Sequence, residues 1–340
     1  MFIQLLFAEG NLIPNQWYVI LESREIKTGK PVGFTRLGEK MVAWRMPDEK
    51  IVVQADLCPH RGAALHQGKI NNDNIMCPFH GFEFDSEGTC TLIPANGKKS
   101  VPPKIFQAKT YPAQERHGYI FIWWGEAREE YPPLPIFEEL ENNSFRYADY
   151  KESWAVHYSR VIENQLDVFH LPFPHGTTIG RGNRTVADGP IVKMDGEEMQ
   201  IWVYNRKDEN GPAKRAGELG EPTRVPFLHF RFPHLWQNHI SEDMRITVYF
   251  TPIDENHTML YSRYYQRFLK LPILGDFVSW LISIFSITIL HQDKRVVEKQ
   301  LPIKSDLKMT EKLIAQDQPI ILYRRIRKNL QDGLPIQKKN

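Results

Sequence analysis

The chain has 340 residues, enough for two domains of ordinary size, each with a buried core. Its 43 Lys and Arg nearly cancel its 41 Asp and Glu, and a net charge of +2 gives no electrostatic reason to bind nucleic acid. With two of its three cysteines set in the paired loops described below, no disulfide framework remains, which points to a reducing, cytoplasmic compartment.

Met1 to Ile13 is mildly apolar but has neither a basic n-region nor a small-residue cleavage site, so it is expected to be a loose leader rather than a signal peptide. Residues 14 to 56 read as strands. Trp17-Tyr18-Val19-Ile20-Leu21, Met41-Val42-Ala43-Trp44 and Ile51-Val52-Val53 are β-branched and aromatic runs separated by turn residues at Thr28 to Pro31 and Pro47-Asp48.

Two short Cys/His pairs follow, Cys58-Pro59-His60 and Cys77-Pro78-Phe79-His80. Each offers one thiolate and one imidazole, the ligand set of a [2Fe–2S] cluster with two cysteines on one iron and two histidines on the other. Neutral imidazoles in place of thiolates raise the potential, which makes the site a one-electron relay. A structural zinc ion is the alternative, although zinc sites usually pair Cys with Cys and His with His. The second pair leads into Gly81 to Asp85, a turn at Ser86 to Gly88, and Thr89 to Leu92, a hairpin on which Cys90 reads as a packed small hydrophobe. Further strands are expected at Lys109 to Tyr111 and Tyr119 to Trp124. The charged, proline-rich stretch Glu129 to Pro135 marks a boundary between domains at 14–128 and 129–340.

After the boundary a helix is predicted to open at Ser153, with Trp154, Tyr158, Val161, Ile162, Gln165, Leu166 and Phe169 on its buried face. A second row, Glu163, Asp167 and His170, shares one side of it. Pro172 and Pro174 are expected to break the helix and let His175 fold back toward His170. Two converging imidazoles with a carboxylate nearby form a candidate Fe(II) site; an ordinary pair of polar loop histidines is the alternative. Residues 184 to 268 return to strands and turns. Phe277 to Leu290 carries no charge over fourteen residues, short of the about twenty a spanning helix needs, and reads as a buried or half-buried helix. If it continues, Leu290, Asp293, Val297 and Gln300 share a face, and an Asp there needs a partner, either a metal or a basic side chain.

Together, C-x-H-x16-C-x2-H, Asn164-x2-Asp167-x2-His170-x4-His175 and Gln292-Asp293 resemble the α subunit of Rieske non-haem iron oxygenases. The opening Asn15 to Tyr18 and the ending Asp293-x4-Glu298-x-Gln300 are most similar to the vanillate O-demethylase and dicamba monooxygenase branch. The resemblance implies an α+β chain, an all-β Rieske domain followed by a helix-grip catalytic domain in which an antiparallel sheet curves around a long helix. It implies that Cys58, Cys77, His60 and His80 hold the [2Fe–2S] cluster and that His170, His175 and Asp293 hold a mononuclear Fe(II). Asp167 would bridge His170 to a cluster histidine of a neighbouring subunit in a head-to-tail homotrimer, and Asn164 matches a family position near the iron. The implied activity is monooxygenation or oxidative demethylation of an aromatic or heterocyclic compound with O2, using electrons from an NAD(P)H-dependent reductase, possibly with a ferredoxin. A Rieske electron carrier without oxygenase activity and a ring-dihydroxylating dioxygenase are the other readings.

Overall fold

The computed structural model describes residues 12–141, 144–209 and 211–336, so the expected leader lies outside the described residues up to Asn11. They form two compact units, one spanning Pro14–Leu134 and the other running from Pro135 together with Leu12 and Ile13.

The first unit is almost entirely β. In chain order it contains β1 (Gln16–Glu22), β2 (Val32–Arg36), β3 (Glu39–Arg45), β4 (Ile51–Ala55), β5 (Lys69–Asn71) and β6 (Asn74–Met76). These are followed by β7 (Glu83–Phe84), β8 (Cys90–Leu92), β9 (Thr110–Tyr111), β10 (Ala113–Arg116) and β11 (Tyr119–Trp124). Three antiparallel sheets result, ordered β1-β11-β10, β2-β3-β4-β9 and β5-β6-β7-β8. The β-branched and aromatic runs expected as strands fall within β1, β3, β4 and β11. Met41 to Trp44 and Tyr119 to Trp123 are buried at consecutive positions, so these strands are covered on both faces. Cys90 packs in a core with Val42, Trp44, Leu65, Ile75 and Phe84, as expected for a small hydrophobe.

The second unit contains β12 (Arg146–Trp154), α1 (Tyr158–Leu166), β13 (Val186–Asp195), β14 (Glu198–Arg206) and β15 (Leu228–Arg231). It continues with β16 (Leu235–Ser241), β17 (Met244–Pro252), β18 (Thr258–Gln266), α2 (Leu274–Val297) and α3 (Gln318–Gln331). One antiparallel sheet of order β12-β18-β17-β16-β15-β14-β13 is accompanied by the helices: α1 contacts β17, and α2 contacts β12 and β18. The α+β class and the sheet-with-helix architecture are as expected.

Three local expectations fail. Ser153 does not cap a helix, because β12 runs through Trp154 in register with Thr258 of β18, and α1 starts only after His157. The helix also ends before the prolines. Asp167 leaves helical geometry at ψ 124°, and its Oδ1 accepts the backbone N–H groups of Phe169 at 2.9 Å and His170 at 3.0 Å, capturing them in a turn. Glu163 then does not share a row with Asp167 and His170. Its carboxylate is buried between Arg160 Nη1 at 3.1 Å and Arg324 Nε at 2.7 Å, and both arginines also reach Glu311.

The apolar stretch is one continuous 24-residue helix, α2, long and apolar enough by length and composition to cross a membrane. It is half-buried: Ser279, Ser283, Ser286, Leu290, Asp293 and Val297 face inward, whereas Phe277, Trp280 and Phe285 are about half exposed. The inward serines are accommodated by bonding back to the helix, Ser279 Oγ to the Gly275 carbonyl at 2.9 Å and Ser283 Oγ to that of Trp280 at 2.7 Å.

At the start of α1, buried His157 accepts the Ser159 backbone N–H on Nδ1 at 3.2 Å, which requires that nitrogen to be unprotonated. Burial, with Arg327 and Lys304 nearby, lowers its pKa to about 3. The unfolded chain therefore binds the extra proton first as pH falls. Stability from this group is complete above pH about 6.5 and declines toward pH about 3, by at most about 1.4 kcal/mol per pH unit. A His157→Gln variant is expected to flatten the acid limb of a pH series of urea midpoints; an unaltered limb would show that other groups cause it.

Candidate functional site

The two Cys/His loops of the first unit fold alike. In the first, Cys58 N–H donates to the Ala63 carbonyl at 2.8 Å and Gly62 N–H to the Cys58 carbonyl at 2.9 Å. In the second, Cys77 N–H donates to the Phe82 carbonyl at 2.8 Å and Gly81 N–H to the Cys77 carbonyl at 3.1 Å. Gly62 and Gly81 have φ of +74° and +71°, a conformation that any side chain would strain, which explains a glycine four residues after each cysteine. The two loops differ only in where the histidine falls, second after the first cysteine and third after the second.

The loops bring their ligands together. Cys58 and Cys77 are free thiols, each 2% exposed, and the His60 and His80 ring centroids lie 4.7 Å apart. Burial pushes the Cys58 thiol up to about 11, a backbone hydrogen bond from His60 opposes this, and Cys77 adds to the rise. A buried thiol whose ionisation is held back, facing a second buried thiol without forming a disulfide, suits a site whose charge is neutralised by iron.

In the second unit His170, His175 and Asp293 each aim a donor atom at the others, all within 4.8 Å. His175 Nε2 lies 3.0 Å and His170 Nε2 3.4 Å from Asp293 Oδ1. The opposite ring nitrogens are held as well. His175 Nδ1 meets Gln292 Oε1 at 2.8 Å, and His170 Nδ1 meets the Asp167 carbonyl at 3.1 Å with the Asp167 carboxylate at 3.4 Å. Each imidazole thus presents Nε2 inward and is oriented through Nδ1, the arrangement that supports histidine ligands to metals. Burial opposes charge on His170, but Asp167 and Asp293 on either side raise its pKa to about 10. Burial likewise works to raise the pKa of Asp293, and His170 and His175 more than offset it, lowering the value to about 2. The opposite shifts show that the carboxylate and the imidazoles favour a positive charge between them, which a divalent cation could supply, and two imidazoles with one carboxylate fit a non-haem Fe(II) ion with open positions.

Asn164 Nδ2 lies 3.4 Å from Asp293 Oδ1, and Gln165 Nε2 lies 3.5 Å from Oδ2, so Asn164 stands beside the candidate ligands. Sequence reasoning placed Gln165 on the buried helix face and Gln292 in the Gln292-Asp293 motif but gave neither a part in the site. Their signal was adjacency, since each directly flanks a residue of the expected constellation. The three candidate ligand side chains line a cavity of about 620 Å³ within this unit, together with residues of the sheet and α2.

Comparison with known proteins gives two family matches: the Rieske [2Fe-2S] domain over residues 16–112 and the vanillate O-demethylase oxygenase C-terminal domain over residues 154–333. The chain is 31% identical over 209 residues to a vanillate O-demethylase oxygenase subunit of Pseudomonas sp. (strain HR199 / DSM 7063), covering 61% of this chain and 57% of the relative. It is 35% identical over 244 residues to the cholesterol 7-desaturase nvd of Xenopus laevis, covering 68% and 51%. The chain thus spans about half the length of the curated relatives it matches. Among solved structures it is similar in fold to dicamba monooxygenase bound to 3,6-dichlorosalicylic acid, with a TM-score of 0.74, 21% identity, and 95% and 98% of the two chains covered.

Proposed function

We propose, for a chain that belongs to the vanillate O-demethylase family of Rieske oxygenases, that it is a terminal oxygenase acting with O2 and NAD(P)H-derived electrons on an aromatic or heterocyclic molecule. The observation that carries this reading is the convergence of His170, His175 and Asp293 in the lining of a largely apolar cavity. Cys58, Cys77, His60 and His80 would hold the family's [2Fe–2S] cluster, and His170, His175 and Asp293 its non-haem iron. When bound, these groups supply single electrons and O2 activation.

The protein's own residues supply position and surroundings. Gln292 and the Asp167 carbonyl fix the tautomer in which Nε2 of His175 and His170 is the free donor. Apolar side chains from sheet and helix keep water from the substrate. One oxygen atom enters the substrate and the other leaves as water, with two electrons and two protons consumed. Insertion into a methoxy or N-methyl carbon gives a hemiacetal or hemiaminal that collapses to formaldehyde, so hydroxylation and demethylation share one step.

The electron donor would be an NAD(P)H-dependent reductase, with or without a ferredoxin, in the cytoplasm, where three free cysteines remain reduced. A head-to-tail homotrimer would let Asp167 join His170 to a cluster histidine of a neighbouring subunit; the support is that Asp167 already touches His170 on the side away from Asp293. Purified protein is expected to hold about three irons per chain and to take up O2 when substrate and reductase are added. About two irons and no uptake would leave an electron carrier instead. In Asp167→Ala both iron sites should persist while single-turnover transfer between them slows; a normal rate would remove the bridge.

A further inference from the structure

The wall of the cavity narrows the class of molecule it can hold. Two cross-strand rows of the sheet face it: Leu228, Asn238, Ile246 and Tyr264 in one, and Trp236, Val248 and Ser262 in the next. From α2, Leu281, Phe285 and Ile289 recur every four residues and form the opposite wall. No lining residue is Lys or Arg, and two are aspartates. Beside the sheet wall, a carboxylate or sulfonate on the substrate would be buried with no cationic side chain among the strand and helix residues that line it, which is strongly unfavourable.

Size and entrance point the same way. The volume of about 620 Å³ is roughly four times the about 150 Å³ known to hold a benzene ring. Ile179, Ile240, Leu281 and Phe285 line the cavity while remaining about half exposed, so an apolar molecule meets apolar side chains as it enters.

Two polar groups on the sheet wall are left over, Ser262 Oγ and Asn238 Oδ1. Asn238 Oδ1 is buried without a hydrogen-bond partner among the described residues. Its strand neighbours Leu228 and Ile246 are apolar, so a partner must come from whatever occupies the cavity. A hydroxyl group suits this position whichever way the amide is turned, since it can donate to the oxygen or accept from the nitrogen.

We propose that this cavity selects an uncharged, largely hydrocarbon molecule of several rings carrying a hydroxyl group, and that Asn238 is the specificity-determining residue that receives the hydroxyl. The proposal rests on the oxygenase reading for the chemistry at His170, His175 and Asp293, but the selection itself is measurable as binding.

The test uses iron-loaded protein and three four-ring probes of similar shape: 1-pyrenemethanol, 1-methylpyrene and 1-pyrenecarboxylate, with Kd followed by probe fluorescence. The alcohol should bind about 3- to 10-fold tighter than the methyl compound, and at least about tenfold tighter than the carboxylate. Asn238→Leu should erase the alcohol's advantage while 1-methylpyrene keeps its affinity, which also reports an intact cavity. Ile246→Lys, which places a cation beside Asn238, should make the carboxylate the better ligand. Carboxylate binding as tight as the alcohol in the unaltered protein, or an alcohol preference that survives Asn238→Leu, would overturn the proposal. Failure of the oxygenase reading appears elsewhere, in iron content and substrate-triggered O2 uptake, neither of which depends on the ranking of these probes.

Discussion

Asp293→Ala is expected to abolish turnover and lower bound iron from about three to about two atoms per chain, with the visible spectrum of the cluster unchanged. Among the described residues, Asp293 is the carboxylate that contacts Nε2 of both His170 and His175, and it is buried at 5% exposure. Its removal leaves two imidazoles without a charged donor between them. Asp167 does not substitute, because its carboxylate lies on the Nδ1 side of His170 and is engaged by the N–H groups of Phe169 and His170. Iron analysis and the spectrum of the same sample decide the matter. Undiminished turnover would reject the ligand assignment, and loss of the cluster bands together with the iron would reject the separation of the two sites.

Glu163→Ala should be the most damaging single change to stability among the charged residues discussed, about 3–5 kcal/mol, as expected for removing one member of a buried ion network. It would leave Arg160 and Arg324, 3% and 4% exposed, sharing only Glu311. Urea unfolding of Glu163→Ala gives the loss directly, and iron content in the folded fraction should stay normal. A deficit of iron with little loss of stability would return Glu163 to the metal site. The network also has an acid limit. Burial tends to raise the Glu311 pKa, but Arg160 and Arg324 lower it further, so its contribution is complete above the usual carboxylate range and is lost as pH falls through the depressed value.

What could be read from the residues was what depends on short stretches of chain. The proposed cluster ligands lie in two six-residue loops whose backbone bonds close within each loop, so their spacing could be read from the sequence alone. Asp293 was legible because a carboxylate among Leu290 and Val297 on one helical face requires a partner. Glu163 was misassigned because helical periodicity identifies residues that share a side but not what packs across from it; the facing arginine comes from α3, about 160 residues later. Trp154 fits helical spacing with Tyr158, yet pairing with β18 holds it in a strand, so tertiary register overrode local pattern. Asn238 had no sequence signal, since its importance follows from the register of β15, β16 and β17, which brings apolar neighbours to both sides of it.

The continuous α2 helix mechanically links two properties that selection would otherwise treat separately. Phe285 lines the cavity and Asp293 meets the two imidazoles, about 12 Å apart along one unbroken rod. Enlarging the chamber by tilting that rod would drag the carboxylate from its imidazoles, whereas exchanging side chains on the strands leaves the rod at rest. Evolution toward new substrates is therefore channelled into the strands, and changes on the helix are tolerated only where they trim or extend a side chain without shifting its axis.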